Sequence, residues 1–372
     1  MGLILTRGAR VFGSLVCAVV GLAAMAWIWR DLARTDAESV GIVWWNWIGV
    51  AQPAPEGAVL GSSLTELTLL ILVMAQNPVV WRSSAASGYL AAVGAIVIAL
   101  RLPGLWSVGA DWTPGAPEEL RTWALVTVWG EVLLAAALLI VVAAGRRPVD
   151  PGHGSGGPHP RPLLPADRPP SVPAPGAATA AALSLGALAA LSAGWELYWM
   201  RELDDQLYQR LFTGEHTLPT LLAPPSAWVG WATAGLALTA AVAAWIRTGF
   251  ARPLGMAVAL LVIVNGVADV SRYDELGVLE RFGELTTRDR LTVLTSFAEV
   301  LTGLLVIAVL ARRGIAAVPP PAPVPAGPSP GHLPGAAPGG YGTFPGGGPP
   351  APAAPPRPAA PPPPAAPPEA GR

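Results

Sequence analysis

The sequence predicts an all-α, polytopic membrane bundle of about eight transmembrane helices, built as two parallel four-helix repeats with a cytoplasmic linker and tail. Three observations carry this expectation. The chain is 52% hydrophobic and only 13% charged, with a mean hydropathy of +0.48, whereas a soluble globular chain carries roughly 25% charged residues. Its apolar residues are gathered into blocks of about the 20 residues that a helix needs to cross a bilayer. Arginines gather at alternate ends of those blocks.

In chain order the blocks run from Val11 to Trp29, Val59 to Val80 (containing Glu66), Ala85 to Leu102 and Thr122 to Ala144 (containing Glu131). They continue from Ala177 to Met200 (Glu196 near its end), Ser226 to Ile246, Leu254 to Val270 (Asn265 and Asp269 late in it) and Leu291 to Leu310 (containing Glu299). Lipid cannot satisfy backbone polar groups, so such blocks must be helices. Transmembrane strands would instead alternate over segments of about ten residues. The first block imitates a signal peptide, with Arg7, Arg10 and Ala24-Met25-Ala26, but its apolar run is long for that role. Ser14-Leu15-Val16 before Cys17 lacks the pattern of a lipoprotein signal, and a lone cysteine closes no internal disulfide. Met1-Gly2 with Thr6 matches a myristoylation pattern by chance. The wealth of Ala, Gly and Pro, with every one of the 23 basic residues an Arg, reads as a GC-rich bacterial source.

Charge asymmetry orients the chain. Arg7, Arg10, Arg82, Arg146, Arg147, Arg161, Arg168, Arg247, Arg252, Arg312 and Arg313 fall in segments with few acids. The alternate segments mix arginine with acid: Asp31, Asp36 and Glu38 after the first block; Asp111, Glu118 and Glu119 after the third. Glu202, Asp204 and Asp205 follow the fifth, and Asp274, Glu275 and Glu280 the seventh. By the positive-inside rule both termini and the central linker are cytoplasmic, in the plasma membrane. Most tryptophans fall near the expected outer ends, as an interfacial belt or the wall of an outer vestibule.

The chain reads as two copies of one unit, residues 1–144 and 177–313. Trp29-Arg30-Asp31-Leu32 resembles Met200-Arg201-Glu202-Leu203, and Thr127 with Glu131-Val132-Leu133 resembles Thr295 with Glu299-Val300-Leu301. Arg146-Arg147 and Arg312-Arg313 close the two copies. An even number of spans per copy gives both the same orientation, a parallel repeat. Residues 145–176 form a Pro/Gly-rich linker and 314–372 a Pro/Ala/Gly-rich tail, neither able to bury a core. Leu203, Leu207 and Leu211 predict a short amphipathic helix on the outer leaflet, and Ile42 to Val50 a segment dipping into the interface.

Charges inside a bilayer cost at least about 2.5 kcal/mol each, so each needs a reason. The candidate intramembrane site is Glu66, Glu131, Asp269 and Glu299, with Arg30, Arg101, Arg201 and Arg272 as partners at the outer ends of their spans. The plain reading is that the carboxyls are neutral or Arg-paired and hold helices together. The functional reading is a proton- or cation-responsive site between the repeats. Without Lys there is neither a phosphate-binding Walker loop nor a Schiff base. The four histidines (153, 159, 216 and 332) lie in loops or tails, and His153 with His159 makes only a weak metal pair. No catalytic, cofactor or metal site is expected, and the near-zero net charge of −1 gives no field for nucleic acid. The expected role is a non-enzymatic scaffold or sensor in the lipid bilayer, with a cytoplasmic protein docked on Pro-rich segments such as Pro355-Pro356-Arg357-Pro358. The alternative is a small-solute or ion transporter using the intramembrane carboxylates.

Overall fold

The computed structural model describes residues 3–35, 40–52, 59–112, 115–148 and 171–312. The expectations for most of the linker, including His153 and His159, and for the tail beyond 312 lie outside the described residues. The helices are α1 (Arg7–Arg34), α2 (Val40–Trp47), α3 (Leu64–Arg82), α4 (Ala86–Arg101), α5 (Gly104–Ser107), α6 (Glu118–Ala144), α7 (Pro175–Glu202), α8 (Asp205–Thr213), α9 (Ser226–Trp245), α10 (Ala251–Glu275) and α11 (Thr287–Ala311). Two short strands, β1 (Leu3–Leu5) and β2 (Arg146–Pro148), pair antiparallel.

Local chemistry starts and stops these elements. The Thr6 hydroxyl accepts from the Ala9 amide at the head of α1, and the Thr286 hydroxyl accepts from Asp289 at the head of α11. Ser63 and Glu66 form a reciprocal cap on α3: the Ser63 amide and hydroxyl donate to the Glu66 carboxylate at 2.5 and 2.6 Å, and the Ser63 hydroxyl accepts from the Thr65 amide. Pro224-Pro225 precede α9, where a missing N–H costs nothing. α8 ends at Gly214, whose φ of 92° is the left-handed conformation that glycine adopts without strain.

Among the described residues, seven helical segments are long and apolar enough to cross a membrane: α1, α4 continued through α5, α6, α7, α9, α10 and α11. The apolar part of α3, Leu64–Asn77, is shorter. The outward faces of the long helices are themselves apolar. Leu133, Ile140, Leu183 and Leu301 are each more than 60% exposed. Patches of this kind on every side are foreign to a soluble monomer and suit hydrocarbon as the solvent. The chain is therefore an all-α, multi-pass membrane protein.

Within the bundle α1 packs on α3 and α6, and α4 on α3 and α6; likewise α7 packs on α9 and α11, and α10 on α9 and α11. The two groups meet through α4 and α10. At that crossing a Cβ on Gly88 would lie 2.5 Å from the Pro253 ring, so only glycine lets the helices approach. One end of the bundle is basic. There β1 and β2 tie the start of α1 to the end of α6, Arg247 donates to the Pro173 carbonyl, and Arg252 donates to Ser171 and to the carbonyls of Leu310 and Arg312. At the opposite end, here the acidic end, the loop at Leu60–Gly61 accepts from the Leu221 and Leu222 amides and joins the two groups.

Three expectations change here. Asp31 is a fully buried member of α1, because the helix continues past the apolar block to Arg34. Glu66 lies in the first turn of α3 and not a third of the way along a span, because its capping role with Ser63 starts the helix at Leu64. Trp27 is buried and donates to the Thr127 hydroxyl at 3.1 Å, so it serves packing and not an interfacial belt.

Close packing in the second group yields a test. A Cβ on Gly303 would stand 2.6 Å from an Ile263 carbon and 2.9 Å from the Ala259 carbonyl oxygen. Gly303→Leu forces α10 and α11 apart and costs about 1–3 kcal/mol, in line with overpacked cores. The readout is a lower thermal midpoint of the purified protein in detergent. An unchanged midpoint would contradict the packing described.

Candidate functional site

Two clusters hold most of the interior carboxylates, one closed and one open. The closed cluster lies in the first group. Arg101, at the end of α4, reaches Glu66 at 2.6 Å and Glu131 at 2.5 Å, and all three side chains are at most 3% exposed. Burying three charges carries a large desolvation cost, which short and charge-assisted contacts offset. The arginine suits this place because its planar fork can serve two carboxylates at once. Glu66 also accepts from Ser63, so the cluster binds the N-terminus of α3 to α4 and α6 in one step.

A second buried anchor was not expected to be one. One oxygen of Asp31 accepts from the Gly61 amide at 2.9 Å, the Ser62 amide at 2.6 Å and the Ser62 hydroxyl at 2.5 Å, and its other oxygen pairs with Arg30. The carboxylate holds the segment entering α3 against the end of α1. In the sequence it resembles an ordinary loop charge beside Arg30. Its three donors lie about 30 residues away, and no local pattern signals them.

The open cluster lies at the acidic end of the second group. A cavity of about 440 Å³ is walled by α7, α9, α10 and α11, with Trp47 to Gly49, Ser63 to Thr65, Thr68 and Leu100 of the first group at its edge. Cavities of this size suit small organic ligands. Three carboxylates line it: Glu196 from α7, Asp269 from α10 and Glu299 from α11. Arg272 lines it too, and pairs with Asp269 at 3.0 Å from one turn further along α10. Both members of that pair keep more than a third of their side-chain surface exposed, on the cavity that they line.

Glu196 accepts a hydrogen bond from the Tyr208 hydroxyl at 3.0 Å, and that hydroxyl accepts from the Trp231 ring nitrogen at 2.9 Å. Tyr208 belongs to α8, outside the spans. Burial holds its hydroxyl above its ordinary titration range, which keeps it a donor near neutral pH. Gly230 makes room for the carboxylate, since a Cβ there would fall 2.0 Å from Glu196 Oε1. Glu299 has no cation or hydrogen-bond donor against its carboxylate among the described residues. Hydroxyls and aromatic rings complete the wall, among them Thr233, Ser296, Trp195 and Trp199. Thr233 is 7% exposed and its hydroxyl has no partner among the described residues.

The sequence candidates thus separate. Asp269 and Glu299 share the cavity with Arg272, while Glu66 and Glu131 are sealed away with Arg101. Arg30 serves Asp31 and the Val59 carbonyl, and Arg201 is exposed and in no ion pair among the described residues. Glu196 is the site residue that sequence reasoning undervalued. It stands late in its block, like a residue surfacing at the membrane edge, and only Gly230 and Tyr208 turn it inward. Among the described residues, no three His, Cys, Asp or Glu side chains form a metal-ligand set.

The closed cluster predicts a stability effect with a built-in control. Arg101→Met leaves two buried carboxylates without their cation and costs about 3–5 kcal/mol. Arg101→Met combined with Glu131→Leu costs less than the single change, because one orphaned charge goes with the cation. Denaturation in detergent measures both, and a double variant weaker than the single one contradicts the ion-pair account. No known protein family, curated protein or solved structure matches this chain.

Proposed function

We propose that this is a non-enzymatic plasma-membrane sensor of eight transmembrane helices, which recognises a small cationic solute from outside in the cavity of its second four-helix unit. One observation carries the reading. Three carboxylates converge on a cavity that holds a single arginine, and that arginine is taken by Asp269. Glu196 and Glu299 are left without a cation, in a low-dielectric wall where a bound cation is what would hold them ionised.

The eight-span arrangement rests on α3 counting as a span, shortened because its first turn is used as a cap. The parallel repeat has support in paired details. α1 and α7 each have 28 residues, and their bounds are related by one constant displacement of 168 positions. The Trp27 ring donates to Thr127, and the Trp195 ring donates to Thr295, each pair 100 residues apart. The positive-inside rule puts the basic end, with both termini and the linker, in the cytoplasm. The cavity then faces out. Residues 314–372 are the part of the chain suited to pass a signal to a cytoplasmic protein through Pro-rich docking.

A transporter is the second reading. It is favoured by the packed core of Leu185, Leu254 and Leu310, which lies in the half of the second unit away from the cavity. A site open to one side and sealed to the other is one state of alternating access.

Two measurements test these readings. Titration of the purified protein with small organic cations should show binding that Glu299→Gln weakens about tenfold or more without lowering the thermal midpoint, as expected for loss of one charged hydrogen bond. Binding indifferent to Glu299→Gln removes the cavity from consideration. Uptake of a bound cation into proteoliposomes decides for transport over sensing. Reporters fused at Met1 and after Arg372 should both read cytoplasm, and opposite compartments would exclude the eight-span topology.

A further inference from the structure

We infer that the cavity takes a guanidinium group, held between Glu196 and Glu299 much as Arg101 is held between Glu66 and Glu131. The inference rests on reading the cavity as a cation site and the two four-helix units as copies.

Matching the units residue by residue shows where they differ. In α4 and α10, Ala92-Val93 and Val97-Ile98 correspond to Ala257-Val258 and Val262-Ile263. Packing agrees with this register. A Cβ on Gly94 would touch the Ala135 carbonyl, and a Cβ on Gly303 the Ala259 carbonyl. This register sets Arg101 opposite Gly266. In α6 and α11 the Trp–Thr pairs set Glu131 opposite Glu299. In α3 and α9, aligning Trp81 with Trp245 sets Glu66 opposite Gly230, and aligning Arg82 with Arg247 sets it opposite the adjacent Trp231.

The second unit therefore keeps one of the two carboxylates as Glu299. It loses the other at Gly230, yet Glu196 fills that space, with Oε1 only 2.0 Å from where a Cβ of residue 230 would stand. Two carboxylates persist and the guanidinium between them does not, because residue 266 has no side chain. A guanidinium entering through the cavity would complete in the second unit what Arg101 completes in the first.

Further features suit a planar cation with several N–H donors. The Thr233 hydroxyl is buried, lines the cavity and lacks a partner, so it can accept. Trp195 supplies an aromatic wall. Its counterpart Trp27 already carries a guanidinium, that of Arg30, at 5.7 Å from its ring centroid. A compact ammonium can neither bridge two carboxylates in a plane nor stack in this way.

The test is calorimetric titration of the full-length protein in detergent with methylguanidinium, tert-butylammonium and tetramethylammonium, cations of equal charge and heavy-atom count. Methylguanidinium should bind about tenfold or more tightly than either of the others, the margin expected from a bidentate contact. Glu299→Gln and Glu196→Gln should each remove that preference, and Thr233→Val should reduce it, with thermal midpoints confirming that the variants fold. Equal or tighter binding of the two other cations overturns the guanidinium inference and leaves the cation cavity standing. Absence of binding by all three overturns both. A preference for methylguanidinium that survives Glu196→Gln and Glu299→Gln also overturns the inference, because the selectivity then lies elsewhere.

Discussion

Hydrocarbon can neither hydrogen-bond a peptide group nor solvate a charge. The backbone meets the first demand by closing its hydrogen bonds within helices. The second falls on side chains, and in the first group it centres on Arg101. Arg101 is held by Glu66 and Glu131, and Glu66 is at the same time the reciprocal cap of α3. One guanidinium thus sets the depth of α3 against α4 and α6. The Asp31 clasp then fixes the segment that enters α3 against α1. The loop at Leu60–Gly61, placed by that clasp, accepts the amides of Leu221 and Leu222 and so positions the approach to α9.

The same demand is met differently in the second group. Its three carboxylates line a cavity instead of surrounding one buried arginine. Asp269 takes Arg272 from its own helix, Glu196 takes a hydroxyl from α8, and Glu299 takes neither. Tight packing of α10 on α11 accompanies this, with Gly266 and Gly303 both pressed against backbone carbonyls of the facing helix. A bulky cation at position 266 has no room there. Compactness on one side of α10 and a cavity on the other are two aspects of the same arrangement, and the proposed ligand site follows from it.

Much of this could be read in advance, and the failures share a cause. Glu66, Glu131, Asp269 and Glu299 stand out because each interrupts an apolar run, and such interruptions demand explanation whatever the fold. Helix bounds came within a few residues because caps and charges flank the blocks. Asp31 and Glu196 were misjudged because each sits at the end of a block, where a charge ordinarily meets water. Their burial depends on donors from distant segments: Gly61 and Ser62 for Asp31, Tyr208 on a surface helix for Glu196. Trp27 was misplaced for a similar reason, since Thr127 receives its N–H from another helix.

Composition, block length and the placement of arginine were enough to establish a helical membrane protein and to number its candidate charges, because each of these depends on local transfer of side chains between water and lipid. They could not say which charges are neutralised within the protein. That depends on contacts between separate segments, such as Arg101 with Glu66 and Glu131 or Tyr208 with Glu196, and on close approaches such as those at Gly230 and Gly266. Linear spacing holds no record of distances between helices. Folding alone distinguished a sealed arginine cluster from an open cavity lined by three carboxylates.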